Sequence, residues 1–270
     1  MAYKILALDM DGTLLNSRKT ISPKTAEAIS ELSRRGVFVV TSTGRGVAEL
    51  ADYKNELKFM NYGITSSGGV IYDFFKKRAV NFHNIPTNYA LEIIDAGISE
   101  CAMIHVFTVQ DLFQREEDIK HAADFYMTTY QGMYERNSVR CDDLKKFVQE
   151  NPAEIVKINL FHRSPESRQK NFKRLKNLEL TFVFSEKTGL ECSNKGISKA
   201  SGLLELCKFL KIDIKDTVAV GDAPNDIEIL KTAGIGAAMG NSSDEIKKIA
   251  DFVTDDNDHD GIVKVIEKYF

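Results

Sequence analysis

Two carboxylates stand two residues apart in Asp9-Met10-Asp11-Gly12-Thr13, directly after the apolar run KILAL. A short buried strand ending in such a turn delivers its acids to the carboxyl edge of a sheet, where open parallel sheets bind ligands. Asp-Gly is also a common turn pair, so by itself the segment supports plain chain reversal equally well. Gly221-Asp222-Ala223-Pro224-Asn225-Asp226 repeats the arrangement late in the chain, again after a short apolar run. Read locally, it is a polar turn in which Pro224 starts a helix and the neighbouring acids favour its positive end. Thr43-Gly44-Arg45 closes the run VFVVTS, where a hydroxyl before a helix is ordinarily a cap. Lys199 opens a helix after Gly196-Ile197-Ser198. A lysine there opposes the helix dipole by about a few tenths of a kcal/mol, so its position asks for a nearby negative charge.

Together these groups form the set that a phosphate ester requires. A carboxylate attacking a phosphate dianion brings like charges together, and at about 4 Å the repulsion costs several kcal/mol at intermediate dielectric. Something cationic must offset it. Magnesium takes oxygen ligands and needs only one or two carboxylates besides a phosphate oxygen, which Asp9 and Asp222 can supply. Lys199 adds a second positive charge, and Thr43 and the amides after Asp9 can donate hydrogen bonds to phosphoryl oxygens.

The elements that must carry these residues follow a simple alternation. Residues 4 to 8 read as a buried strand. Ser22 and Pro23 cap and start a helix that runs through Ala26, Ile29 and Leu32 to Gly36. VFVVTS is a second strand, a helix is expected from Val47, and a third strand ends at Ser66-Ser67-Gly68-Gly69. Strand, helix, strand means parallel pairing with right-handed crossovers. Residues 70–82 break the pattern, reading as two strands joined by a charged turn. Beyond them lie amphipathic stretches (87–99, 142–150, 165–176) interspersed with strand-like runs (102–108, 154–161, 179–185). From Leu190 the earlier alternation resumes: helix 198–210, strand TVAVGD, helix 224–232, strand IGAAM, helix 242–250, a short strand near Phe252 and a last helix from Gly261. The expectation is an α/β fold: a Rossmann-like parallel sheet core (1–82 and 186–270) interrupted by an inserted α+β domain (83–185).

Composition narrows the function. With 36 basic and 39 acidic residues among 270 the formal charge is −3, which gives no general electrostatic grip on nucleic acid or an anionic membrane. No run approaches the roughly 20 apolar residues of a membrane span, and Asp9 falls where a secretory segment needs its apolar stretch. The four cysteines form no CxxC pair and read as reduced thiols. A cytoplasmic protein acting on a small molecule, as monomer or homodimer, is the expectation.

The combination of DMDGT, STGR, a lysine opening a late helix, and GDAPND followed by AAMGN resembles the haloacid dehalogenase-like (HAD) hydrolases. The insertion after the third strand resembles the large α/β cap of their Cof-type phosphatases. The resemblance covers essentially the whole core. It implies a magnesium-dependent phosphatase acting on a small phosphorylated metabolite such as a sugar phosphate, with Asp9 forming an aspartyl phosphate. Asp11 would protonate the leaving alcohol and then activate water, while Thr43 and Lys199 hold the phosphoryl group. Magnesium would be bound by Asp9, the carbonyl oxygen of Asp11, and Asp222. Met10, Gly44, Arg45 and Asn225 would contact substrate or phosphate, with Asp226 behind the metal ligands. Two departures stand out: Ser67-Gly68-Gly69 replaces a frequent Asn-Gly-Ala, and Ala200 replaces a frequent glycine.

A phosphomutase is a second enzyme reading, but its relatives insert their cap between the first two motifs. A non-catalytic phosphate-binding regulator should lack part of the charge set, whereas Asp9, Asp11, Lys199 and Asp222 are all present. Residues 256–267 fit the EF-hand loop pattern, yet a strand-like segment precedes them and Asp260 serves equally as a helix cap. The five histidines have no metal spacing and read as surface or satisfied core residues.

Overall fold

The computed structural model describes residues 3–270, which fall into two compact units. The first comprises the chain up to Gly44, Tyr53–Asn81 and Ser198–Phe270; the second comprises Arg45–Asp52 and Phe82–Ile197.

In the first unit, β1 (Ile5–Leu8) is buried along its whole length, as expected of a strand covered on both faces. Ser22 caps α1 (Pro23–Arg34) by accepting the Thr25 N–H at 3.1 Å, and Pro23 pre-sets the first turn. The parallel strands β2 (Phe38–Ser42) and β3 (Tyr62–Thr65) follow, then β4 (Val70–Asp73), antiparallel to β3, and β5 (Arg78–Phe82). Between β2 and β3 the helix expected from Val47 is only a pair of 3-10 turns, Ala48–Tyr53 and Leu57–Phe59.

The second unit contains α2 (Thr87–Ser99), β6 (Met103–Phe107), β7 (Leu112–Gln114), α3 (Glu116–Lys120), α4 (Thr128–Asn137) and β8 (Ser138–Arg140). It continues with α5 (Leu144–Glu150), β9 (Lys157–Phe161), α6 (Pro165–Leu175), β10 (Leu180–Ser185) and β11 (Gly189–Asn194). Its six strands form one sheet in the order β10-β11-β9-β6-β7-β8. The sequence reading ends the insertion at 185. The second unit instead runs to Ile197, because β11 pairs antiparallel with both β10 and β9. Ile93 and Ile94 of α2 and Val148 of α5 pack with Ile104, Val106, Ile158, Leu160 and Leu190 to build the apolar core on one face of that sheet.

The chain then returns to the first unit with α7 (Lys199–Leu210), β12 (Thr217–Gly221), α8 (Ile227–Thr232), β13 (Ile235–Ala238), α9 (Asp244–Ile249), β14 (Phe252–Val253) and α10 (Gly261–Tyr269). A 3-10 turn, Pro224–Asp226, stands where the sequence suggests the first turn of an α-helix. The sheet order is β14-β13-β12-β1-β2-β3-β4-β5, parallel from β14 to β3. All four cysteines are free thiols, Cys192 and Cys207 being buried. No described helix is long and apolar enough to cross a membrane.

Candidate active site

The central strands β1, β2 and β12 end side by side, and each carboxyl end carries one of the chemical segments. Asp9 is the first residue past β1 and is tied to its neighbour by an N–H bond to the Val220 carbonyl at 3.0 Å. The residue as a whole is 7% exposed. The chain turns at Gly12, whose φ of +85° lies in the left-handed region and whose hypothetical Cβ would sit 2.3 Å from Asp222 Oδ2. Glycine is therefore required at this position twice over. The turn lets Thr13 Oγ1 donate to Asp222 Oδ1 at 2.7 Å, while Asn241 Nδ2 donates to the Gly12 carbonyl at 2.9 Å.

Lys199 opens α7 behind the Ser198 cap, with its side chain 2% exposed. Its ammonium donates to Asp9 Oδ1 at 2.5 Å and to Asp226 Oδ1 at 2.7 Å. These carboxylates are the negative charges that its helix position calls for. Asp226 is fully engaged, since its other oxygen accepts the N–H groups of Asp222 and Ala223, both at 3.0 Å. Asp9, Asp222 and Asp226 each offer an oxygen within 4.8 Å of the others.

Three carboxylates and one ammonium leave a surplus of negative charge (3 − 1 = 2). Burial, reinforced by Asp226 and Asp222 against the opposing pull of Lys199, raises the Asp9 carboxyl to about 8. Burial likewise raises Asp222, to about 6. Burial works against the Lys199 charge, but Asp9 and Asp226 outweigh it and hold the ammonium protonated more firmly than usual. Buried acids with too little compensating charge behave this way, and a divalent cation on hard oxygen donors would supply what is missing. The donor set fits magnesium. Both Asp226 oxygens accept from donors at 2.7–3.0 Å, whereas among the described residues Asp222 Oδ2 meets only Asn241 Nδ2, at 3.4 Å.

Asp11 is partly exposed, and its Oδ1 accepts from Lys19 Nζ at 2.7 Å. Met10 is fully buried, with its carbonyl accepting the Leu15 N–H at 2.8 Å. Thr43 is buried past the end of β2, its N–H bonded to the Ile64 carbonyl at 2.9 Å and its carbonyl accepting the Ser67 N–H at 3.0 Å. Ser67 occupies the left-handed region (φ 60°), a conformation asparagine tolerates better than serine, and Gly68 follows at φ +103°. A Cβ on Gly68 would lie 2.0 Å from the Ser198 carbonyl, so this glycine lets the hairpin lie against the start of α7. Asn225 is exposed. Gly44 ends a segment of the first unit, whereas Arg45 belongs to the second, where its Nη1 lies 3.5 Å from Met133 Sδ.

Sequence alone assigns no individual role to Thr13, Lys19 or Asn241, although Thr13 lies in DMDGT and Asn241 in AAMGN. Lys19 had no spacing signal; its left-handed φ of 58° is set by the turn it occupies. In the acidic segment 256–260, Asp256 accepts from His259, Asp258 accepts the Ser17 N–H, and Asp260 accepts from Ser22 and Thr25. Asp260 also precedes α10, so these acids tie the last helix to the start of the chain.

The family model for haloacid dehalogenase-like hydrolases matches residues 6–266. A Bacillus subtilis protein named 5-amino-6-(5-phospho-D-ribitylamino)uracil phosphatase YcsE is 31% identical over 267 residues, covering 98% of this chain and 95% of the relative. The Escherichia coli pyridoxal phosphate phosphatase YbhA is 27% identical over 269 residues, covering 98% of each chain. Among solved structures, a haloacid dehalogenase-like hydrolase from B. subtilis superposes with a TM-score of 0.85 at 29% identity, covering 99% of this chain and 100% of that one.

Proposed function

Because the chain belongs to the haloacid dehalogenase-like hydrolase family and is a phosphatase of phosphoric monoesters, we propose that it hydrolyses a small phosphorylated metabolite with magnesium, through an aspartyl phosphate on Asp9. The observation that carries this reading is the buried bridge of Lys199 between Asp9 and Asp226, with Asp222 alongside.

Asp9 attacks phosphorus, and the bond to the leaving oxygen breaks. Asp11 gives that oxygen its proton, then takes one from the water that attacks the aspartyl phosphate, releasing phosphate and regenerating Asp9. Lys19 holds Asp11 by its 2.7 Å ion pair until substrate competes for it. Lys199 and Thr43 hold phosphoryl oxygens, with the backbone at Met10 and Gly44, Arg45 and Asn225 contributing further contacts. Asp226 positions Lys199 and the Asp222 backbone. Asp9, the Asp11 carbonyl and Asp222 would hold magnesium, which offsets negative charge as nucleophile and phosphoryl group approach. The inserted domain selects the alcohol portion. Ribitylaminouracil phosphate and pyridoxal phosphate, which the relatives' names carry, belong at the head of any substrate panel.

The test is a screen of phosphate monoesters with magnesium and with excess chelator. Turnover should require magnesium, and calcium, which prefers longer bonds and more ligands, should not restore it. Hydrolysis in excess chelator would overturn the metal assignment, and no hydrolysis of any ester would overturn the reading itself.

A further inference from the structure

In the sheet of the first unit β13 lies between β12 and β14, so the residues past its carboxyl end meet the loops that follow both neighbours. Met239 N–H bonds to the Gly221 carbonyl at 3.0 Å, and Gly240 N–H bonds to the Asp255 carbonyl at 3.0 Å. A Cβ on Gly240 would sit 2.8 Å from the Asp256 nitrogen, so only glycine lets the loop before α10 lie this close. Asn241 comes next, with Asp222 on one side and Asn257 on the other.

Asn241 is exposed, yet its side-chain amide is engaged at both ends. Nδ2 carries two N–H groups, which donate to the Gly12 carbonyl at 2.9 Å and to Asp222 Oδ2 at 3.4 Å. Oδ1 accepts the Asn257 N–H at 3.3 Å. Asn257 in turn donates its own Nδ2 to the Leu15 carbonyl at 2.8 Å, and Asp258 Oδ1 accepts the Ser17 N–H at 2.9 Å. The turn after Asp9 is thus held at Gly12, Leu15 and Ser17 by residues 241–258. Thr13, inside that turn, closes the circuit on Asp222 Oδ1 at 2.7 Å.

The polarity of the circuit fixes what Asn241 does. Its oxygen is turned to Asn257 and its N–H groups to Asp222, and N–H groups repel a cation, so Asn241 is not itself a ligand. It acts on Asp222, whose carboxylate is gripped on both oxygens. The short Thr13 bond fixes Oδ1. The longer one limits rotation while leaving Oδ2 capacity for a cation, since a carboxylate oxygen accepts more than one partner. The 256–258 stretch, which by spacing resembles part of a calcium loop, is therefore engaged in seating the turn that carries Asp9 and Asp11.

We propose that Asn241, seated by the loop before α10, is a positioning residue for the metal site: it holds the Asp222 carboxylate and the turn after Asp9 in the arrangement that binds magnesium. The proposal rests on the magnesium reading above.

The experiment uses the full chain and the variant Asn241→Leu, which keeps the approximate shape and removes both N–H groups. Partners that orient a metal's ligands typically contribute about 10-fold to 100-fold in metal affinity. Calorimetry with magnesium chloride alone, without substrate, should show the dissociation constant raised by about that factor. With phenyl phosphate, the magnesium concentration for half-maximal rate should rise in parallel, while kcat and KM at saturating magnesium stay within about 3-fold of the wild type. An unchanged magnesium affinity would overturn the proposal, as would a loss of kcat that saturating magnesium does not recover. If Asn241→Leu does not fold, Asn241→Ala gives the same comparison. A wild type that binds no magnesium and turns over without it would count against the magnesium reading alone. In that case hydrogen exchange in the metal-free protein decides the role of Asn241: faster exchange over residues 10–17 in the variant supports it, and unchanged exchange refutes it.

Discussion

The two units each bury a polar cluster, and the clusters are opposites. At the ends of β1, β12 and α7, the polar groups are charged and held by the protein: Lys199 by two carboxylates, Asp226 by three donors, Asp222 by Thr13. On the sheet of the second unit, His105 Nε2, both ends of the Gln114 amide and Asn159 Oδ1 lie in a buried row with no hydrogen-bond partner among the described residues. The first cluster is organised before any ligand arrives, which suits chemistry common to every phosphate ester. The second carries no charge at its centre and takes no part in that organisation. Similar burial therefore carries opposite consequences for stability and for rate.

The largest expected effect falls on the charged cluster. Asp9→Asn keeps the shape of the side chain and its contact with Lys199 but removes the nucleophile, so turnover should fall by on the order of 10⁴-fold or more with an unchanged circular dichroism spectrum. Substantial residual activity would mean that another group attacks phosphorus. Next comes Asp11→Asn, which should slow alkyl esters by roughly 100-fold to 10,000-fold. An ester with a good leaving group should instead give a burst of released alcohol and leave labelled phosphate on the protein. Unchanged steady-state rates on alkyl esters would remove Asp11 from both proton transfers.

A stability measurement sharpens the contrast further. Lys199→Met strands Asp9 and Asp226 without their counter-ion, and breaking a buried pair in this way costs about 3–5 kcal/mol. Gln114→Leu removes an unpaired donor and acceptor at nearly constant volume and should be neutral or stabilising by about 1 kcal/mol. Denaturant melts of the two variants should therefore move in opposite directions, or leave the second unmoved. Destabilisation by Gln114→Leu comparable to that of Lys199→Met would erase the distinction between the clusters.

The catalytic unit was legible because its signals are local. A four-residue apolar run, a Ser-Pro cap and a Gly stop define β1 and α1, and the acids that matter follow directly on strand ends. Asp9, Asp222 and Lys199 share one signal in the sequence, a strand end or a helix start, and that signal alone groups them. The limits of the insertion were harder to read, because β11 has the polar sequence GLECSN and becomes a strand through pairing with β9 and β10. The stretch holding β7, α3, α4 and β8 gave no periodic signal, and that is where Gln114 and Tyr134 lie. By sequence His105 reads as a surface or satisfied core residue. It is in the core, and only the register of β6 against β9 and β7 reveals that its Nε2 joins a row of unpaired neighbours.

The position of β1 in its sheet also governs the order in which the protein can be built. β1 lies between β2 and β12, with Ile5 opposite both Phe38 and Thr217. On the ribosome, β2 emerges soon after β1, but β12 is not made until the entire second unit has been translated. For that interval the strand that ends at Asp9 has one unpaired apolar edge, the kind of surface that other chains add to. The second unit can close on itself during the same interval, since every strand of its sheet is encoded before Thr217. A nascent chain stalled just short of that residue would carry a finished second unit beside five of the eight strands of the first sheet, with the edge of β1 still open.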